Sequence, residues 1–180
     1  MPKLKPFRDY SEHDVINMFS YPETANAGTL VKIDTNWKDS YAEGLLLTNL
    51  SSTNNTISSS FAPVGKLLQT TASTDLAIGI LLKDVREYDE NGKPLVYEPQ
   101  LLAERNAVVP QQAVPVLTRG LILINDIQAV GGNYPAIGAA AYVGTSGRIA
   151  TSGVNRIGTF LSTVSENTSS GYCLVRLNIQ

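Results

Sequence analysis

The sequence predicts an all-β protein, a single sandwich or barrel-like domain of short antiparallel strands with an N-terminal arm or short helix. From residue 29 onward, short apolar runs alternate with clusters of Gly, Asn, Pro and Ser. This pattern is typical of strands joined by turns, and it disfavours alternating strands and helices. With 180 residues, the chain fits one domain. We place the N-terminal arm at residues 1–27 and the β domain at residues 28–180.

The N-terminal segment is unusually apolar for a terminus. Ser11 followed by Asp14 is a weak capping signal, and the apolar residues up to Pro22 fit a helix of about ten residues. An extended arm fits nearly as well, and either form can pack on its own domain or dock on a neighbouring subunit. For docking, the candidate partner-binding side chains are Phe7, Tyr10, Val15, Ile16, Met18 and Phe19.

Strands are predicted wherever short apolar runs have β character. Their ranges are 29–34, 43–48, 64–70, 76–82, 85–88, 94–97, 113–118, 121–124, 140–143, 148–151, 156–162 and 172–179. The last shows the clearest alternation, which predicts a half-buried strand with Cys173, Val175 and Leu177 on its apolar face. Gly79 and Gly158 each interrupt a strand, which indicates a bulge or a closely approaching backbone.

The connecting segments have their own signals. Residues 89–93 predict a hairpin turn with Gly92 in the left-handed conformation, and residues 144–148 predict a second hairpin. The spacing from Glu87 also resembles a calcium-binding loop, but strand-like flanks favour the hairpin. A second short helix is predicted over residues 99–106 with Pro99 near its first position. Residues 51–60 are polar and predict a surface loop.

Composition argues against several classes of function. The chain has 14 basic and 16 acidic residues, so we expect no nucleic-acid partner. Its single histidine, His13, and single cysteine, Cys173, do not form a recognisable catalytic or zinc motif, and Cys173 is expected to be a buried apolar residue. No apolar run has the length of a membrane span or signal peptide, which predicts synthesis in a cytoplasm. We expect no enzyme activity, metal, cofactor, small-molecule substrate or membrane contact.

Several sequence blocks resemble a known family. Residues 82–93 and 112–120 are similar to the central part of head decoration proteins of tailed bacteriophages, and shorter similarities occur at residues 12–19, 28–33, 156–161 and 174–179. The resemblance implies a virion protein that binds the outer surface of the capsid. It would contact the major capsid protein, bridge neighbouring capsid subunits and stabilise the head, often as a homotrimer.

A deletion tests the role of the N-terminal arm. If the N-terminal arm docks on the capsid, deleting residues 2–21 should abolish binding and leave the β domain folded.

The alternative to a capsid decoration (cement) protein is a carbohydrate-binding or receptor-adhesion module displayed on the virion, which would use Trp37, tyrosines and the polar loop at residues 51–60. Glycan binding without affinity for undecorated heads would favour that alternative.

Overall fold

Two β layers on a shared core form the body of the protein. The computed structural model describes residues 2–5, 9–34, 65–132, 134–163 and 171–179. Within these ranges the structure is mostly β, which confirms the predicted fold class. The strands are β1 (Leu4–Lys5), β2 (Val15–Ser20), β3 (Leu30–Ile33), β4 (Gly65–Gln69), β5 (Gly79–Leu81), β6 (Asp84–Val85), β7 (Ala107–Val108), β8 (Ala113–Leu117), β9 (Arg119–Ile124), β10 (Ala140–Val143), β11 (Ile149–Ala150), β12 (Arg156–Phe160) and β13 (Cys173–Asn178). The helical segments are the α-helix α1 (Pro99–Glu104) and the 3-10 helices Glu12–Asp14, Leu95–Tyr97 and Val130–Gly132.

Five of the described strands close into a barrel in the order β2-β4-β3-β5-β8. Neighbouring strands are antiparallel except β2 and β4, which run parallel where Phe19 and Ser20 face Gly65 and Lys66. So small a barrel is filled by side chains. Its buried cluster consists of Tyr21, Ala25, Val31, Leu67, Leu81, Val85, Val114 and Val116.

The second layer is an antiparallel sheet in the order β1-β9-β13-β12-β10-β11. Its strand β13 shows which face is covered. Cys173, Val175 and Leu177 are fully buried, whereas Arg176 and Asn178, which alternate with them, are exposed. The structure therefore confirms the predicted half-buried strand, and the sheet has one covered face and one open face.

Strands β3, β5 and β8 each contribute buried side chains to two clusters. Successive side chains of a strand point to opposite sides. In β3, Val31 belongs to the barrel cluster while Leu30 belongs to a second core, and Leu81 and Ile80 of β5 divide in the same way. The second core also contains Leu117 and side chains of the other sheet, namely Ile122, Ile124, Ala141, Val143, Ile149, Ile157, Phe160, Cys173, Val175 and Leu177. The barrel and the sheet therefore share one core.

Both strand glycines lie against a neighbouring backbone, as predicted. A Cβ atom on Gly79 would lie 2.6 Å from the carbonyl oxygen of Leu117. A Cβ atom on Gly158 would collide with the carbonyl oxygen of Arg176 on β13. The close approach of neighbouring strands therefore requires glycine at both positions.

The predicted N-terminal helix is wrong, and the extended alternative is confirmed as a barrel strand. The Ser11 side chain accepts a hydrogen bond of 3.4 Å from the His13 N–H, but it caps only the 3-10 helix Glu12–Asp14. The chain then extends into β2, because β-branched Val15 and Ile16 suit a strand and β8 supplies backbone partners. Within the expected arm, β1 pairs with β9, and β2 pairs with β8 and β4.

The segment between β6 and β7 also departs from the prediction. Residues 94–97 were expected to form a strand, but Leu95–Tyr97 is a 3-10 helix preceded by Pro94, which has no N–H for a strand ladder. The second helix is confirmed as α1 with Pro99 at its start. The strand expected at residues 85–88 is reduced to β6. The strand expected at residues 43–48 and the polar loop at residues 51–60 lie outside the described residues.

The contact at Gly158 predicts a large effect of one methyl group. Gly158→Ala should lower the free energy of unfolding by about 3 kcal/mol, because a rigid backbone carbonyl cannot move aside. The control is Gly92→Ala, where a Cβ would meet no atom within 4 Å and only the positive φ of 78° is costly, at about 1 kcal/mol. Urea unfolding of both variants measures the difference, and equal midpoints would contradict this account of the β12–β13 contact.

Candidate functional site

The N-terminal candidates are largely engaged with the protein's own domain. The Tyr10 hydroxyl donates a hydrogen bond of 2.9 Å to the carbonyl oxygen of Leu121, and its ring packs against the shared core. Val15 also packs against the shared core, and Phe19 packs against the barrel cluster. Ile16 is half-buried, whereas Met18 is 49% exposed. Phe7 lies outside the described residues, so Met18 is the described member best placed to contact a partner.

Residues 86–106, between β6 and β7, form a largely exposed excursion that we call the lobe. It leaves and rejoins the body at adjacent points, because β6 and β7 pair in parallel from Asp84 opposite Ala107 to Val85 opposite Val108. Val85 is fully buried in the barrel cluster. The base of the lobe is therefore fixed to the barrel.

The predicted hairpin turn forms the tip of the lobe. The Asp89 carboxylate accepts hydrogen bonds of 2.7 Å from the backbone N–H groups of Asn91 and Lys93, and Gly92 has a φ of 78°. The hydrogen bond from Lys93, supported by that from Asn91, lowers the pKa of Asp89. These contacts confirm the turn. They also show that this carboxylate is occupied by backbone donors of its own hairpin.

The lobe is held together by internal contacts. Leu95 is fully buried, and its N–H donates a hydrogen bond of 2.9 Å to the carbonyl oxygen of Glu87. Arg105, which follows α1, lies 3.3 Å from the Glu90 carboxylate in the hairpin. The 3-10 helix is therefore bonded to Glu87, and the end of α1 is paired with the hairpin. Because of these two contacts, the lobe presents its outer side chains from a defined structure.

Three large side chains of the lobe face solvent. Tyr97 is 80% exposed, and Val96 and Tyr88 are each 52% exposed. Tyrosine is enriched in the energetically important parts of protein interfaces, because it buries a large area with few rotatable bonds. The lobe is therefore an apolar candidate for a docking surface among the described residues.

A groove of about 410 Å³ lies at the base of the lobe, between residues 24–26 and 85–88. The two sides of the groove are linked through Asp84, whose carboxylate accepts a hydrogen bond of 2.7 Å from the N–H of Ala27 and pairs with Arg86 at 2.9 Å. The Arg86 guanidinium is therefore already neutralised. We regard the groove as a structural junction between the lobe and the N-terminal segment.

A second, polar surface lies on the open face of the six-stranded sheet. Arg176 on β13 faces Thr159 on β12 and Leu121 on β9, and paired residues of adjacent strands share a face. A depression of about 490 Å³ lies there, lined by Arg156, Gly158, Thr159, Arg176 and Asn178. We call these lining residues, together with the outward side chains of β9 and β1, the open sheet face.

The single cysteine lies in a structural environment. Cys173 is fully buried, and burial raises the pKa of its thiol while a contact of 2.9 Å with the carbonyl oxygen of Ser162 opposes that shift. This confirms the expected buried cysteine.

Within the described ranges, no group of three or more His, Cys, Asp or Glu side chains could hold a metal ion. Among the helices described here, none has the length and apolar character needed to cross a membrane.

Sequence reasoning missed both surfaces. Val96 and Tyr97 lie in residues expected to form a strand, so the pattern gave no sign of their exposure. The alternation of β13 did place Arg176 and Asn178 on its polar face, and that signal was available. Trp37 and residues 51–60, which the carbohydrate-binding alternative requires, lie outside the described residues.

Comparisons with known proteins identify no relative. No family model matches the chain, and neither a curated protein nor a solved structure matches it. The similarity of residues 82–93 and 112–120 to head decoration proteins therefore remains a resemblance between short blocks.

The Asp75 carboxylate, whose pKa is clearly lowered, secures a loop beside the barrel. The Asp75 carboxylate accepts hydrogen bonds of 2.7 Å and 3.0 Å from the N–H groups of Thr71 and Ala72, and Lys32 donates one of 2.9 Å. Burial opposes its ionisation, but these donors outweigh burial and hold the pKa of Asp75 at about 2. The ionised form is therefore bound more favourably in the folded protein than in the unfolded chain.

This shift predicts a pH-dependent contribution to stability. Replacing the carboxylate in Asp75→Asn should lower the free energy of unfolding at neutral pH by about 1 kcal/mol, after allowance for solvent screening. Because the folded pKa lies below the unfolded value of about 3.9, the difference between wild type and variant should persist above pH 4 and disappear as pH falls towards 2. Denaturant titrations across this range provide the measurement, and a difference that does not change with pH would contradict the assignment.

Proposed function

We propose that this protein is a capsid decoration protein of a tailed bacteriophage, which binds the outer surface of the head and stabilises it by bridging neighbouring capsid subunits. Its partner in this proposal is the major capsid protein, and its location is the virion. It acts by binding, without catalysis or a cofactor. The observation that carries the proposal is the exposed lobe, whose residues 86–93 lie in the sequence block most similar to head decoration proteins.

The lobe supplies what a docking contact needs. Tyr97 and Val96 project from a short 3-10 helix whose first residue, Leu95, is fully buried. A side chain on an ordered backbone segment requires less ordering on binding than one on a free loop. Burying two such side chains in a capsid pocket would therefore yield a useful interface from a small area.

The two-layer body suits mechanical reinforcement. Because the barrel and the six-stranded sheet share a core, a force applied at one layer is transmitted to the other without an intervening linker. Many copies on one shell add their contributions, so a modest affinity per copy gives large total stabilisation. Repeated adhesion of a stiff domain is therefore a sufficient mechanism.

The N-terminal segment has a narrower role than an independent arm. Met18 is exposed and remains a candidate contact, while Tyr10, Val15 and Phe19 pack inside the domain. Deletion of residues 2–21 would remove β1 and β2, and with them one wall of the barrel. Loss of capsid binding after that deletion would thus report unfolding, so substitutions of exposed side chains are the appropriate test.

The resemblance also implies a homotrimer, which we include in the proposal. The two edge strands of the six-stranded sheet, β1 and β11, have only two residues each. Such short edges offer few backbone groups to another chain. Trimer contacts would therefore consist mainly of side chains, and sedimentation velocity of the purified chain measures whether the trimer forms without the capsid.

The lobe predicts a specific loss of capsid binding. The double substitution Val96→Ser and Tyr97→Ser should weaken binding to phage heads assembled without this protein by roughly 30-fold, because two central apolar anchors are worth about 2 kcal/mol or more. Co-sedimentation with such heads over a range of protein concentrations measures the change.

A matched control is Ile137→Ser, which removes an apolar side chain that is 72% exposed but lies outside the lobe. Met18→Ser tests the N-terminal contact separately. Unchanged binding by the folded lobe variant would reject the lobe as the docking surface. If the wild-type chain fails to bind heads and binds glycans instead, the decoration function itself is wrong.

A further inference from the structure

The charges of this protein are unevenly distributed between its layers. The chain as a whole has a net charge of -2. The strands of the six-stranded sheet contain Lys5, Arg119, Arg156 and Arg176 but no Asp or Glu, as their sequences show. The strands of this sheet are therefore locally basic on an acidic protein, although the Asp14 carboxylate lies 3.9 Å from Arg119.

All four basic residues belong to the open sheet face. Arg119 faces Asn178, and Lys5 faces Leu123, which in turn faces Leu174 of β13. These positions alternate with the fully buried residues of β9 and β13, so they lie on the side away from the shared core. The basic side chains are thus gathered on one surface by strand register.

An irregularity in the sheet places Arg156 on this surface. The register between β10 and β12 shifts at Ala141 and Tyr142, so that Tyr142 faces Arg156 while Ala141 faces Gly158. The extra residue, Ile157, is 2% exposed and points into the shared core. A bulge of this kind changes the direction of the neighbouring side chain, and here it turns Arg156 towards the open sheet face.

The Arg156 guanidinium is held in place by its own strand. Its Nε donates a hydrogen bond of 3.2 Å to the carbonyl oxygen of Gly158, and its Nη2 donates one of 3.0 Å to the hydroxyl of Thr159. Arg176 faces the same Thr159 from β13. Neither arginine forms an ion pair with a carboxylate among the described residues. Two guanidinium groups therefore border one depression, and both retain N–H donors that a ligand can use.

The size and charge of this site favour one kind of ligand. A guanidinium binds a carboxylate through paired, charge-assisted hydrogen bonds. Long polyanions such as nucleic acids bind through many basic contacts, whereas the strands of this sheet supply four basic side chains. We propose that the open sheet face around Arg156 and Arg176 binds a carboxylate-rich segment of a partner protein. This surface is separate from the lobe, and the proposal stands whether or not the partner is a phage head.

An acidic peptide tests this proposal directly. The probe is a synthetic peptide of alternating Glu and Ser with blocked ends, and fluorescence anisotropy at low salt measures its affinity for the full-length chain. The double substitution Arg156→Gln and Arg176→Gln should weaken binding at least tenfold. Lys83→Gln with Lys93→Gln removes the same charge elsewhere and should change affinity less than twofold. Equal losses in the two variants would overturn the site assignment.

Two further measurements make the outcome decisive. In the wild-type protein, peptide titration should shift the backbone NMR signals of Thr159, Arg176 and Asn178, and shifts confined to other residues would overturn the proposal without relying on any variant. A sulfated oligosaccharide and a single-stranded oligonucleotide serve as competitors. If either binds more tightly than the peptide at the same salt concentration, a protein carboxylate is not the ligand.

The result is distinguishable from a failure of the decoration function. If the peptide binds at the open sheet face and phage heads do not bind, the inferred site is supported and the proposed function is rejected. If heads bind equally well with Arg156 and Arg176 replaced and the peptide does not bind, the inferred site is rejected and the proposed function is retained.

Discussion

The side chains of β3, β5 and β8 are divided between two buried clusters, and this division ties the barrel to the six-stranded sheet. Leu117 and Val116 are neighbours on β8, yet one packs against the six-stranded sheet and the other inside the barrel. A substitution in either residue leaves a cavity that the opposite layer cannot fill without moving the strand. Because these strands serve two cores, neither layer can rearrange independently. The protein is therefore expected to respond to load as one body.

The shared core leaves both surfaces described above exposed. The inner faces of both layers pack in the shared core, whereas the lobe and the outward side of the six-stranded sheet lie outside it. The two surfaces have different chemistry. The lobe presents exposed Tyr97 and Val96, whereas the open sheet face presents Arg156 and Arg176. An apolar anchor and a cationic face on one stiff domain would allow it to contact two parts of an assembly at the same time.

The sequence predicted the β class, β13 and the turn at residues 89–93, because each depends on local alternation or turn chemistry. It could not distinguish helix from strand before Pro22, since the form of Val15–Ser20 is decided by pairing with β8, a hundred residues away in the chain. The exposure of Tyr97 depends on a 3-10 helix where the composition suggested a strand. The position of Arg156 depends on a bulge, which has no reliable sequence signature without knowledge of the partner strand.

Hydrogen exchange of the protein alone and bound to phage heads would test the central claim, that a rigid β body adheres through its exposed surfaces. Head binding is expected to protect amides of residues 86–106, while exchange in β3, β5 and β8 remains as slow as in the free protein. The contradicting result is a lobe that exchanges equally fast in both states, or a barrel whose protection changes on binding. Either observation would show that adhesion by a preformed body is not how this protein works.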